Sequence, residues 1–386
     1  MKISSLATIT LFAASIFSCA EPKQVSDIVI YPKTNFDTVV DGKNISIYTL
    51  KNSSGTTAQI TNFGARIVSL WTADRDGKFD DITLGYSNID SYINFKGIKV
   101  MGAALGRFAN RIGGGEITID NTTYPLTKND GGKNHLHGGN KSFDLAIWEV
   151  VESSDSTLTL SYLSKDMEEG FPGNLQTEIR YSLTEENALV LEYSAVTDRP
   201  TVLNLANHAF FNLKGEGSGT IYDHILELNA DRYVEVNDEL LPSGKLLSVE
   251  ATPLDFRVAT TIGERIVSGE IEKGYDHCYY VNNSAYSDVN EQNIPVEKRV
   301  EFVARVSEPT SGRVLELYSS EPGVQLYTSN FFDGSISGKS GKKYNPHESF
   351  ALESQHLPDS PNHTNFPTTL LRPEQVYHQI TKFVFK

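Results

Sequence analysis

Glu353 lies in "FALESQHLPDSPN", directly after Phe350-Ala351-Leu352, in an apolar run that predicts a buried strand. A carboxylate there is costly unless it is paired or hydrogen-bonded. Loss of water raises its pKa toward neutrality, where it can take up or release a proton. The position suits equally a structural carboxylate paired with an arginine such as Arg111. His208, in "LNLANHAFFNL", stands where an apolar strand stops; it reads either as a proton-transfer group or as a satisfied structural imidazole. Four further stretches are as polar. "GRFANRI" sets Arg107 and Arg111 around Asn110, "NHLHGG" spaces His135 and His137 two apart, "GYDHCY" puts Asp276 beside His277, and "EPGVQLYTSNFFDG" carries Gln325.

In an extended segment, residues i and i+2 point to one face. The two histidines of "NHLHGG" therefore suit a chelate, a substrate contact or a loop. No metal is expected, because neutral imidazoles with one distant aspartate match no recognisable ligand spacing. Taken together, one carboxylate, several imidazoles, a guanidinium, an aspartate and amides suit a polyhydroxylated ligand. Phe108, Phe171, Phe210 and Phe211 are available either to pack on sugar C–H faces or to fill the core.

These groups need a rigid frame. The chain has 386 residues, 39% of them hydrophobic, enough for one large all-β domain or two ordinary ones. Acidic residues outnumber basic ones, 49 to 34, and a net charge of −15 repels phosphate backbones, so no nucleic-acid partner is expected. "LQTEIRYSL" alternates, with Leu175, Thr177, Ile179, Tyr181 and Leu183 on one face; "TLTLSYL" and "ALVLEYSAV" continue the pattern. "GEITIDNTTYPL" predicts a hairpin turning at Asp120-Asn121, and "RVEFVARVSEPTSGRVLELY" another with Ser311-Gly312 at its tip. "TTIGERIVSG" is the best helical candidate, one or two turns long. Closely spaced turns between short strands predict a single antiparallel sandwich over residues 34–386.

The N-terminus is read separately. Lys2, an apolar run from Leu6 to Phe17, and Ile16-Phe17-Ser18-Cys19 predict an export signal over 1–18. The last four residues resemble a bacterial lipobox, which would make Cys19 the lipidated first residue, followed by a polar tether over 19–33. The protein is then expected in the cell envelope, touching membrane only through that lipid. Cys278 is left without a disulfide partner and is expected to be a buried apolar side chain.

From "NFGARIVSLWTADRDGK" through "GRFANRI", "NHLHGG", "EEGFPGNL", "LNLANHAFFNL", "GYDHCY", "SGRVLELYSSEPGVQLYTSNF" and "LESQHLPDSPN" to "LLRPEQVYHQITKFVF", the chain resembles the aldose 1-epimerases, or galactose mutarotases. The resemblance implies a galactose mutarotase-like supersandwich that interconverts the α and β anomers of a free aldose without a cofactor. It implies Glu353 as general base and His208 as general acid. Asn110, Arg111, His137, Asp276 and Gln325 are implied as sugar-binding residues, with His135 peripheral. Other readings are a sugar-binding envelope lipoprotein without turnover and a hexose-phosphate epimerase. The phosphate reading needs a cationic cluster, for which Arg107 and Arg111 are the evident pair. A glycosidase would need a second carboxylate beside Glu353, and none stands out.

Overall fold

The computed structural model of the chain describes residues 28–95, 98–286 and 295–386. The predicted export signal, Cys19 and the first part of the predicted tether lie outside the described residues. Tyr31 already belongs to the body: its N–H donates to Gln59 Oε1 at 2.9 Å, and its carbonyl accepts from Gln59 Nε2 at 3.0 Å.

Among the described residues the strands form three main antiparallel sheets with several short two-stranded ribbons. The largest has nine strands, and Leu175–Leu183 lies inside it between Thr157–Ser164 and Ala188–Thr197. The five residues predicted to share a face are all buried there, while Gln176, Glu178 and Arg180 are exposed. Each large apolar side chain so buried contributes roughly 1.5–3 kcal/mol. The C-terminal strand Tyr377–Phe385 is inserted between Ala188–Thr197 and Val314–Ser319, so the last residues of the chain join the two halves of this sheet.

A five-stranded sheet runs Pro242–Ser248, Arg232–Val236, Asp276–Tyr280, Gly323–Tyr327, Ala351–Gln355, and a four-stranded sheet is made by residues 47–81. One core takes Leu158, Leu160 and Ile179 from the nine-stranded sheet, Val324, Leu326 and Leu352 from the five-stranded sheet, and Ala58 and Ile60 from the four-stranded one. This is the sandwich the alternation predicts. Both predicted hairpins form. Asp120 and Asn121 have φ of 48° and 62°, the left-handed pair that a two-residue turn requires. The predicted helix is one turn, Gly263–Val267, and Cys278 is buried with a free thiol.

Two anchors hold the long segment between Tyr327 and Phe350 onto the four-stranded sheet. Lys339 Nζ meets Asp81 Oδ2 at 2.5 Å and the Val68 carbonyl at 2.6 Å, with both side chains buried. The Tyr344 hydroxyl accepts from the Gly85 N–H at 3.0 Å and donates to Glu216 at 2.6 Å.

Ala351–Gln355 is the outer strand of its sheet, and other elements occupy its free side. Phe350 pairs with Phe211, Gln379 Nε2 donates to the Ser354 carbonyl at 3.1 Å, and the Asn204 amide bonds both backbone groups of His356.

Candidate active site

The period of two along the five-stranded sheet explains how polar residues enter apolar strands. Val324, Leu326 and Leu352 face the core; Asp276, Gln325, Tyr327 and Glu353 face the other way. Gln325 pairs directly with Glu353, and Asp276 with Tyr327, so the four side chains form one patch. Gln325 Nε2 donates to Asp276 Oδ1 at 2.6 Å.

His208 approaches from a two-residue strand, Ala206–Asn207, paired with Ala104–Leu105. Its backbone N–H donates to the Ala103 carbonyl at 2.9 Å, and its carbonyl accepts from Gly102 at 2.8 Å. The ring stacks on Phe210 at 4.7 Å, and Nε2 lies 3.5 Å from Glu353 Oε1.

The third wall is made by Asn110, Arg111 and His137. Asn110 and His137 both adopt left-handed backbone, at φ of 64° and 50°. They lock each other: the His137 N–H donates to the Asn110 carbonyl at 3.0 Å, and the Asn110 N–H donates to His137 Nδ1 at 3.1 Å. Nδ1 is thereby an acceptor, so the neutral ring carries its proton on Nε2 and presents a donor. The glycine after His137 has a steric reason. Gly138 has φ of 83°, and a Cβ there would lie 1.9 Å from the Gly106 carbonyl oxygen.

Asn110, Arg111, His137, His208, Asp276, Gln325 and Glu353 line one cavity of about 170 Å³, closed by Ile98, Val100, Leu136, Phe210, Tyr327 and Phe331. Its size is below the roughly 300–1,000 Å³ of drug-sized pockets and fits a single sugar ring. A larger cavity of about 590 Å³, bounded by Leu203, Glu321 and Tyr377, contains none of the seven.

Burial governs the charges. It pushes Glu353 well above the usual carboxylate range, with nearby Asp276 adding to the rise. It lowers the His208 imidazole to about 3. His137 is lowered as well, by burial and then by the neighbouring His208. Asp276 is raised by burial, against the opposing pull of Arg111 and the Gln325 amide. Glu353 Oε2, Gln325 Oε1 and His208 Nδ1 are buried without a protein hydrogen-bond partner. Buried polar atoms rarely lack partners, and here three such atoms belong to residues of one cavity.

Residues 46–384 match the family model described as aldose 1-epimerase. The chain belongs to the aldose 1-epimerase family. It is 39% identical to galactose mutarotase of Rattus norvegicus over 84% of this chain and 90% of that protein. It is 33% identical to aldose 1-epimerase of Escherichia coli K12, over 89% and 96%. Among solved structures, an aldose epimerase homologue from C. elegans aligns at TM-score 0.78 and 30% identity, covering 89% of this chain and 99% of that one. Galactose 1-epimerase from Lactobacillus acidophilus aligns at TM-score 0.75 and 26% identity, covering 91% and 97%.

Several readings of individual residues change against this family frame. Arg111 pairs with Asp130, at 2.9 Å, leaving the structural Glu353–Arg111 pair unformed. Arg107 is no phosphate ligand: its buried guanidinium donates to the carbonyls of Ser164, Lys165 and Pro172 at 2.8–3.0 Å. His135 is not a loop decoration. It is fully buried, with Nδ1 2.8 Å from the Thr127 carbonyl and its ring edge-on to Phe171. The left-handed turn at His137 ends the extended run and sends the two rings apart. Of the four phenylalanines only Phe210 lines the cavity; Phe108, Phe171 and Phe211 are core. Tyr327 and Phe331 are lining residues that sequence reasoning missed. Tyr327 was legible, two residues beyond Gln325 on the same face; Phe331 gave no signal.

Proposed function

We propose that Glu353 and His208 carry out the family's reaction here, the interconversion of α and β anomers of a free aldose such as galactose or glucose. The observation that carries these roles is the buried Glu353–His208 pair at 3.5 Å, facing a one-ring cavity whose polar atoms await partners. In ring opening, Glu353 removes the proton from O1 while His208 protonates the ring oxygen. The C1–O5 bond breaks as the C1–O1 double bond forms. The open-chain aldehyde turns half a revolution about C1–C2, and both proton transfers then run in reverse.

Burial sets which protonation form the pair prefers. The pair begins as carboxylate and imidazolium and ends, once the ring is open, as carboxylic acid and imidazole. The raised Glu353 and lowered His208 both say that the pocket prefers the uncharged pair. Desolvation thus favours the transfers that open the ring by as much as it raises the cost of forming the charged pair, and it opposes the same transfers on reclosure. Arg111, His137, Asp276 and Gln325 hold the hydroxyls, with the His137 Nε2–H as a fixed donor.

Both forms of the pair hold one mobile proton, so they titrate as a unit. The low His208 value places gain of a second proton well below neutrality, and the raised Glu353 places loss of the only one above the carboxylate range. The acid limb of kcat/KM is therefore expected well below the ordinary imidazole value, and the alkaline limb above the carboxylate range. An acid limb near the ordinary imidazole value would contradict this account of the pair.

Polarimetry of freshly dissolved α-D-galactose and α-D-glucose tests the activity itself. Equilibration faster than in buffer is the expected result. Sugar binding by calorimetry without any rate effect would favour the binding-protein reading.

The N-terminal signal and Cys19 support a place in the cell envelope, anchored by lipid, where the protein would act on sugars outside the cytoplasm. Cys19→Ala is expected to move the protein from the membrane fraction to the soluble fraction. Unchanged fractionation would remove the anchor from the proposal.

A further inference from the structure

The segment that follows Glu353 does more than end the sheet. After Gln355 the chain turns and runs beside residues 107–113, the stretch that carries Asn110 and Arg111. Two side chains join these segments. Asn204 is fully buried, and its Nδ2 donates to the Ala109 carbonyl at 3.1 Å and the His356 carbonyl at 3.3 Å, while Oδ1 accepts from the His356 N–H at 2.8 Å. Its own backbone pairs with the Arg107 carbonyl and the Ala109 N–H, at 2.9 Å and 2.7 Å. Asp359 makes the second link. Its N–H donates to the Arg111 carbonyl at 2.8 Å, and its Oδ1 accepts from the Gly113 N–H at 2.9 Å. Asp359 has φ of 57° and is itself held by Asn362, whose Nδ2 donates to Oδ1 at 2.7 Å.

These links flank the sugar-holding wall on both sides. Asn204 grips the chain one residue before Asn110, and Asp359 grips Arg111 and the residue two beyond it. Asn204 is four residues before His208, and His356 three residues after Glu353, so the same bonds reach both members of the acid/base pair. These contacts satisfy buried polar groups and at the same time tie one wall of the cavity to the other.

We infer that residues 356–362 form a brace in which Asp359 and Asn204 are positioning residues, holding the Asn110–Arg111 wall at sugar-binding distance from Glu353 and His208. The inference rests on the aldose reading of the cavity. Asp359 touches only backbone of the wall, so its loss moves Arg111 without removing any group that meets the sugar. The effect falls on sugar affinity and KM more than on kcat.

The test measures Kd for D-galactose and D-glucose by calorimetry in the Glu353→Gln background, KM and kcat by polarimetry in the otherwise unaltered chain, and Tm in both. Asp359→Ala is expected to raise Kd and KM about tenfold with kcat within about twofold, since small displacements of a positioning group act on binding geometry. Asp359→Asn, which keeps the acceptor for the Gly113 N–H, is expected to stay within about twofold of wild type in all three constants. Asn362 is exposed, and Asn362→Ala loosens the same clamp without threatening the fold; it is expected to shift Kd in the same direction by about threefold. A lowered Tm with Kd and KM unchanged in Asp359→Ala and Asn362→Ala would make the segment merely structural and overturn the brace. If the unaltered chain equilibrates neither sugar but binds one, turnover fails while the Kd series still decides the brace. If it binds neither, the aldose reading falls and the brace with it.

Discussion

Glu353→Gln is expected to abolish most of the rate enhancement while leaving sugar bound. Glutamine keeps the shape and the hydrogen-bonding reach of the side chain but cannot accept the O1 proton. The loss expected is about 10²–10⁴-fold in kcat, the usual contribution of one general acid or base. His208→Asn is expected to fall in the same range. The double variant should lose little more than either single one, because the two groups move one proton pair in a single step and act as a unit. Polarimetry of the three variants checks this, with near-ultraviolet circular dichroism to show that each is folded. Additive losses would mean that the two residues act in separate steps. A fully active Glu353→Gln would remove the carboxylate from the chemistry.

The second large effect is on stability. Lys339→Met is expected to cost about 3–5 kcal/mol, the usual penalty for breaking a buried ion pair from one side. Asp81 is 7% exposed and also accepts from the Leu70 and Thr83 N–H groups, so it cannot turn to water when Lys339 is gone. Burial already pushes its carboxyl up against the pull of Lys339, and without the lysine the rise is larger. A carboxyl whose folded pKa is raised costs nothing at pH below its unfolded value. The cost grows as pH climbs from that value toward the folded one. The Tm difference between Lys339→Met and wild type is therefore expected to be larger at pH 7.5 than at about pH 5. Equal differences at both would show that the pair contributes through packing alone. The segment anchored by Lys339 also carries Phe331 to the mouth of the cavity, so a rise in KM should accompany the loss of stability.

The fold was legible where one face of a strand is buried and the other wet. Leu175–Leu183 states its register outright, and Asp120-Asn121 states its turn, because few residues tolerate the left-handed conformation. Glu353 was legible for the opposite reason, as a charge that breaks an apolar pattern. The site residues named by resemblance to the family all meet in one cavity. What the sequence hid is the work of buried cations and imidazoles. Arg66 gives its guanidinium to the carbonyls of Lys99, Met101 and Asp144, and Arg107 to those of Ser164, Lys165 and Pro172. An arginine that caps loop carbonyls looks the same in a sequence as one that binds a ligand. The contacts that tell them apart lie 33 to 78 residues away along the chain. His135 and His137 show the same limit, since a single left-handed residue reverses which of them faces the site.

The outer strand that bears Glu353 has a consequence for how the protein behaves in a crowded compartment. An unpaired strand edge is a template onto which another chain can add, the first step toward aggregation. Here Phe211 and Asn204 hold Phe350 and His356, the residues on either side of Ala351–Gln355, the Gln379 side chain takes the Ser354 carbonyl, and all five residues of the strand are buried. A foreign strand cannot reach that edge to zip against it. The carboxylate can therefore stand at the margin of its sheet, within reach of a diffusing sugar, without making that margin sticky to other polypeptides.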